Sequence, residues 1–236
     1  TNFQPSPEAL DQIEGKIDGL IVASPSNPTG TIMHRDKFSE LIEYCDRREI
    51  RFISDEIYHG ITFGEKAETA LAFTNDAVIV NSFSKYFSMT GWRLGWMVLP
   101  KDMLRSAECL SQNLFISPPT LSQYAAVAAF DCYNELDANV AEYAKNRALL
   151  LEELPKAGFI KLAPAEGAFY IYADVTELTN DSDDYCRRLL VDTGVATTPG
   201  IDFDPCRGNR YMRFSYAGPF EHMHEATKRI QEWCNR

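Results

Sequence analysis

The sequence predicts an α/β protein. A mostly parallel sheet with helices on both faces, in three layers, is followed by a smaller α/β domain at the C-terminal end. Three observations carry this. Short apolar runs without alternation recur along the first half, as strands buried on both faces do. A helical stripe and polar turns separate them, the rhythm of a doubly wound sheet. From Ser117 the character changes to long helices and then to a second series of strands and helices.

The elements follow in order. Pro7, Glu8, Ala9, Leu10 and Ile13 read as a short helix with Ser6 as N-cap and Pro7 in its first position, ended by Gly15 or Gly19. No strand precedes it, so the chain is expected to begin partway through a domain. Gly19 to Ser24 (GLIVAS) is the first buried strand, and the turn SPSNPTG follows it. His34 to Arg48 carries Phe38, Leu41, Ile42 and Cys45 on one stripe, a helix. Ile50 to Ser54, Ala77 to Phe83 and Leu94 to Pro100 are three more buried strands. Pro118 and Pro119 open a helix with Leu121, Tyr124, Ala125, Val127 and Ala128 on its apolar side. A long helix runs from Asp137 to Lys156 and stops at Gly158. Strand Ala168 to Val175, helix Asp183 to Gly194, strand Tyr211 to Ala217 and a helix from Pro219 complete the chain. The domain boundary falls in the helical connector, giving residues 1–135 and 136–236.

Composition narrows the function classes. The 236 residues are 45% hydrophobic and 24% charged, which excludes disorder, collagen and coiled coil. The net charge of −11 argues against nucleic acid or an anionic membrane as main partner. No apolar run is long enough to span a membrane, and no signal-peptide pattern opens the chain. Cys45, Cys109, Cys132, Cys186, Cys206 and Cys234 form no CxxC pair or zinc knuckle. Most sit in apolar-periodic segments, as reduced core thiols of a cytoplasmic protein do. No metal site is expected.

Three polar clusters follow strands, where ligand sites of open α/β sheets lie. In Ser24-Pro25-Ser26-Asn27-Pro28-Thr29-Gly30, two prolines and a glycine make a rigid turn that also holds Asn27 in one orientation. In Ser54-Asp55-Glu56-Ile57-Tyr58, Asp55 either caps the next turn or pairs with a cationic ligand atom, and Tyr58 projects from the same side. The richest cluster runs from Asn81 to Gly95 (NSFSKYFSMTGWRLG). Lys85 stands there among aromatics and hydroxyls. It is a surface lysine at a strand exit, or a Schiff-base former in low polarity. Ser82, Ser84 and Arg93 supply donors suited to a phosphate. Arg213, in the strand RFSYA, has structural uses as well as a possible role as an anion clamp.

PSNPTG, DEIY, SFSKYFSMTGWRLG and RFSYA, in this order and at these separations, resemble the class I and II pyridoxal-phosphate aminotransferases. The resemblance is closer to the branch acting on aspartate, aromatic amino acids, alanine and related substrates. EGAFYIYADV and GVATTPG resemble small-domain segments of the same family. The resemblance implies the aspartate-aminotransferase fold, with an incomplete large domain because the family's front third has no counterpart before Thr1. It implies pyridoxal 5'-phosphate as cofactor, with Lys85 as Schiff-base residue and proton shuttle. Asp55 would then pair with the pyridine nitrogen. Tyr58 and Asn27 would bond the ring's phenolic oxygen, and Ser82, Ser84 and Arg93 would hold the phosphate. Asn27 and Arg213 would bind substrate, Arg213 through the α-carboxylate. A homodimer with shared active sites is implied, acting on amino acids and 2-oxo acids. The same lysine chemistry would serve a β-lyase acting on cysteine-type substrates. The fold also occurs as a non-catalytic cofactor-sensing domain of regulators. The PSNPTG and GWRLG segments resemble the transferases more, and the acidic charge disfavours a regulator.

Overall fold

The structure, a computed structural model, describes residues 3–235. The chain divides into two compact units. The first comprises Phe3–Pro25 and Ile32–Asp137; the second comprises Ser26–Thr31 and the chain from Ala138 onward.

The first unit is built on a four-stranded sheet in the order β1-β2-β3-β4. Its strands are β1 (Gly19–Ala23), β2 (Arg51–Asp55), β3 (Val78–Ser82) and β4 (Gly95–Val98). β1, β2 and β3 are parallel, while β4 runs antiparallel to β3. Ala23 pairs with Asp55 and Asp55 with Val80, so β1 and β2 end level with each other and β3 runs two residues further at the same end of the sheet. Helix α1 (Pro7–Leu10) starts as expected, with Ser6 Oγ accepting from Ala9 N at 3.4 Å. Helix α2 (Arg35–Arg47) lays Phe38, Leu41, Ile42 and Cys45 into a core with Val22, Phe52 and Ile79. A second cluster gathers Phe83, Met89 and Ala126 with Phe87, Leu94 and Trp96. Ala126 comes from α4 (Thr120–Ala129). The long helix α5 (Tyr133–Glu153) starts four residues before the expected Asp137, and the unit boundary falls inside it.

Two expectations are corrected here. β1 is not buried on both faces: Val22 is 3% exposed on the face packed against α2, but Ile21, on the opposite face, is 70% exposed because no described element covers it. β4 is likewise open, with Met97 at 54% exposure. Helix α3 (Leu104–Leu114) was not expected from the sequence, and none of its residues is buried. Among the described residues no helix is long and apolar enough to cross a membrane.

The second unit holds an antiparallel sheet in the order β5-β6-β8-β7. Its long central strands are β6 (Tyr170–Asp174) and β8 (Tyr211–Ser215), flanked by the short β5 (Lys161–Leu162) and β7 (Thr198–Pro199). Helix α6 (Ser182–Thr193) is capped by the Asp181 carboxylate, which accepts from Asp183 N and Asp184 N at 3.1 Å, and it ends at Gly194 with φ +73°. Helix α7 (Phe220–Cys234) closes the unit. Phe159, Ile171, Leu189, Met212 and Tyr216 are its buried core. Asn146 on α5 donates to Tyr216 O at 2.9 Å and Gly218 O at 2.7 Å, tying that helix to the end of β8.

All six cysteines are free thiols. Cys45 and Cys186 are buried, and burial pushes each up to about 11, which makes them poor nucleophiles at neutral pH. Cys132 and Cys206 are exposed.

Candidate active site

In the first unit, the expected residues stand at the exits of the parallel strands. Asp55 is the last residue of β2, and its Oδ1 accepts from Ile57 N at 3.1 Å. That bond orients the carboxylate within a turn, so the capping role is real and one oxygen remains outside it. Tyr58, 3% exposed, lies in the same turn. Lys85 Nζ sits over the Tyr58 ring, 5.7 Å from its centroid. The amine is therefore held against the DEIY turn by attraction between the ammonium and the ring face.

The segment after β3 is closed on itself. Ser82 Oγ donates to Leu94 O at 3.2 Å and accepts from Ser84 N at 3.0 Å. Thr90 Oγ1 donates to Ser84 O at 2.7 Å, Ser88 N to Lys85 O at 3.0 Å and Met89 N to Phe83 O at 3.0 Å. Arg93 takes a left-handed backbone conformation, φ +51°, and its Nη1 donates to Thr90 O at 2.8 Å. The Ser82 hydroxyl is thus committed to the turn.

In the second unit, Asn27 and Arg213 meet although 186 residues separate them. Arg213 Nη1 donates to Asn27 Oδ1 at 2.7 Å and Nη2 to Thr198 Oγ1 at 3.2 Å. The guanidinium is flanked by the rings of Tyr170, 4.4 Å from its centroid, and Phe203, 4.7 Å away. Its Nε is buried and has no hydrogen-bond partner among the described residues. The turn that presents Asn27 is closed by Gly30 N→Ser26 O at 2.8 Å and Ser26 N→Thr31 O at 3.0 Å. Gly30 then accepts from Glu166 N and Gly167 N, which fastens the turn to the start of β6.

Three features were missed by sequence reasoning. Thr198, Tyr170 and Phe203 surround Arg213, and only GVATTPG and EGAFYIYADV hinted at two of them. Glu56, 4% exposed, accepts from Thr69 Oγ1 at 3.0 Å and Ala70 N at 2.9 Å and lies 3.3 Å from His59 Nδ1. Tyr86 donates to Asp137 at 2.6 Å. No spacing signal marks either of these contacts.

Comparisons with known proteins agree on one family. The model for aminotransferase class I and II matches residues 1–230. The valine–pyruvate aminotransferase of Mycobacterium tuberculosis is 48% identical over 99% of this chain and 61% of its own. An aspartate aminotransferase of Bacillus subtilis is 32% identical over all of this chain and 62% of its own. A crystal structure of an aminotransferase from Mycobacterium tuberculosis superposes with a TM-score of 0.96 at 47% identity, covering 100% of this chain and 62% of that one. The aspartate aminotransferase of Thermotoga maritima superposes with a TM-score of 0.90 at 30% identity, covering 100% and 61%. The chain thus spans about 61% of the length of the curated relatives it matches. On the family model, the relatives and the aspartate-aminotransferase fold together, the chain belongs to the class I and II aminotransferases, a pyridoxal-phosphate-dependent family.

Proposed function

We propose that the protein moves an amino group from an amino acid to a 2-oxo acid, using pyridoxal 5'-phosphate. The observation that carries the proposal is Lys85 Nζ over the Tyr58 ring, in the turn opened by Asp55. The residues fit the group. Asp55 keeps one carboxylate oxygen outside its turn bond, an acceptor for a protonated ring nitrogen. Ser84 and Arg93 offer donors to a phosphate. When bound, the cofactor supplies an electron sink beside the substrate's α-carbon.

This chain's residues would do the rest. Asp55 would hold the proton on the ring nitrogen, and Tyr58 and Asn27 would donate to the ring's phenolic oxygen. Lys85 would hold the group through its Nζ and, once the substrate's amine displaces it, would take up and return the proton at the α-carbon. Arg213 would bind the substrate carboxylate. The supporting observation is that Nη1 and Nη2 are each fixed by one bond, to Asn27 and Thr198, and each keeps a second N–H as a donor for a carboxylate. The named relatives are aminotransferases, which favours amino transfer over the β-lyase and regulator readings. We place the reaction in the cytoplasm of a cell, in a homodimer, the arrangement that the resemblance and the free thiols support.

Valine with pyruvate is the pair to assay first, because the relative named for that reaction is 48% identical. Alanine should accumulate in step with the loss of valine when the full-length enzyme is incubated with both. Aspartate with 2-oxoglutarate is the second pair. Cofactor-loaded enzyme that transfers nitrogen from no amino acid in a full screen would refute the proposal.

A further inference from the structure

We propose that Tyr86 is a positioning residue, and that its packing on Gly60, pinned from behind by Asp137, sets where the Lys85 amine stands over the Tyr58 ring. This rests on the reading of Lys85 given above. It gives a role to Tyr86, a motif residue to which the sequence reading assigned none.

The turn after β2 is closed on itself by His59 N to Glu56 O at 3.0 Å and Ile61 N to Tyr58 O at 2.8 Å, and Glu56 N donates to Val80 O at 2.8 Å, which anchors its start to β3. Tyr58 and Gly60 are therefore fixed relative to each other. The segment after β3 is equally closed, by the bonds from Ser88, Met89 and Thr90 back to Lys85, Phe83 and Ser84. Lys85 and Tyr86 are therefore fixed relative to each other as well. What sets the spacing between the two pieces is the place where they touch.

They touch at Gly60. A Cβ built there would lie 2.8 Å from Tyr86 Cβ and closer still to Cγ and Cδ2. No side chain fits without moving the Tyr86 ring. The ring cannot lift away, because its hydroxyl donates to Asp137 Oδ1 at 2.6 Å. Burial and the Asp137 carboxylate both hold the phenol above its usual range, so it stays a donor. Phe87 stacks edge-on at 5.2 Å between centroids, and Tyr133 lies at 6.3 Å. Pressed between Gly60 and these neighbours, the ring acts as a spacer of fixed thickness. Its thickness is transmitted to the adjacent Lys85.

The test uses the full-length enzyme stripped of cofactor, with Tyr86→Phe, Tyr86→Ala, Gly60→Ala and the Gly60→Ala/Tyr86→Ala pair. Two rates are read. One is reductive methylation of Lys85 relative to the exposed Lys101, by peptide mass spectrometry. The other is the rate at which added pyridoxal 5'-phosphate becomes bonded to Lys85, followed by visible absorbance. Circular dichroism checks the fold. Tyr86→Phe keeps the ring but loses its bond to Asp137, so both rates should lie between those of the wild type and of Tyr86→Ala. Gly60→Ala should slow cofactor bonding by about 100-fold, the scale of an ångström's misplacement. Tyr86→Ala should change the Lys85-to-Lys101 ratio and slow bonding as well. The pair should fall short of the product of the two single effects, because the added methyl collides mainly with the ring that is gone. If Gly60→Ala does not fold, Tyr86→Ala decides alone. Unchanged Lys85 rates in Tyr86→Ala, or multiplicative single effects, would overturn the inference. A wild-type Lys85 that never bonds the cofactor would instead refute the proposed function. The methylation ratio would still report the spacing.

Discussion

Replacing Gly30 by alanine should cost the protein about 3–5 kcal/mol of stability, through a strained backbone and a collision with main chain. Gly30 has φ +69°, a left-handed conformation that costs an L-residue about 1–2 kcal/mol. The added Cβ would lie 2.8 Å from Tyr170 O, 3.1 Å from Gly167 O and 3.3 Å from Ala165 Cα. These are backbone atoms, which cannot rotate aside, and overpacking of that kind costs about 1–3 kcal/mol. Relief by moving the turn endangers the bonds from Glu166 N at 2.9 Å and Gly167 N at 2.8 Å, each worth about 1 kcal/mol. Gly194→Ala is the control. Gly194 has φ +73°, nearly that of Gly30, and its would-be Cβ meets only the flexible Arg229 Nη1 at an ordinary 3.6 Å, so it isolates the strain from the collision. Urea unfolding at neutral pH, followed by far-ultraviolet circular dichroism, gives both values. The expected loss for Gly30→Ala is at least twice that for Gly194→Ala. Equal losses would refute it, since the contacts would then contribute nothing.

Three further outcomes are expected. Arg213→Lys should raise KM for the amino donor by about 10- to 100-fold, because a lysine cannot reach Asn27, Thr198 and a carboxylate together; steady-state kinetics with valine and pyruvate check this. Asp55→Asn should keep bound cofactor but lose about 100-fold or more in turnover, as the amide does not hold a proton on the ring nitrogen; absorbance and rate are measured on one sample. His59 should make the protein less stable at acidic pH. Burial is the largest influence on it and lowers its pKa below the usual 6.5, against the opposing pull of Glu56, the Ser24 carbonyl, Asp55 and Glu68. The folded state therefore favours neutral His59. Its contribution is present above the unfolded pKa and is lost as pH falls below about 6.5 toward the folded value. Urea midpoints at pH 7.5 and 5.5 should drop more in wild type than in His59→Gln.

The parts of the fold that read well from sequence are those where apolar burial and local chemistry coincide. β1 to β4 appear where GLIVA, RFISD, VIVNS and GWMV stand, α1 starts at its expected cap Ser6, and α6 and α7 start within one residue of the expected Asp183 and Pro219. An apolar run reports that a strand exists but not its place in the sheet. Ile21 and Met97 are as apolar as core residues yet are exposed, because no described element covers the faces they stand on. Strand direction was also invisible: the loop from Phe83 to Leu94 returns β4 antiparallel to β3 without any signature in its composition. Helix α3 went unread because its leucines lie on an exposed face, with Leu114 70% exposed. In the candidate site, Asp55, Tyr58 and Lys85 were legible because open sheets gather polar residues at strand exits. The Arg213–Asn27 bond was not, since no local rule links residues 186 positions apart. The contact of Gly60 with Tyr86 was hidden for the same reason: one lies beside a motif and the other inside one, and only the fold shows that they touch.

The central claim is that Lys85 is the residue that carries the cofactor. The most direct measurement is borohydride reduction of the full-length enzyme loaded with pyridoxal 5'-phosphate, then peptide mapping by mass spectrometry. The account predicts one stable pyridoxyl adduct per chain, on Lys85, and none in Lys85→Ala. An adduct on another lysine at equal occupancy, or one that persists in Lys85→Ala with transfer activity intact, would contradict it.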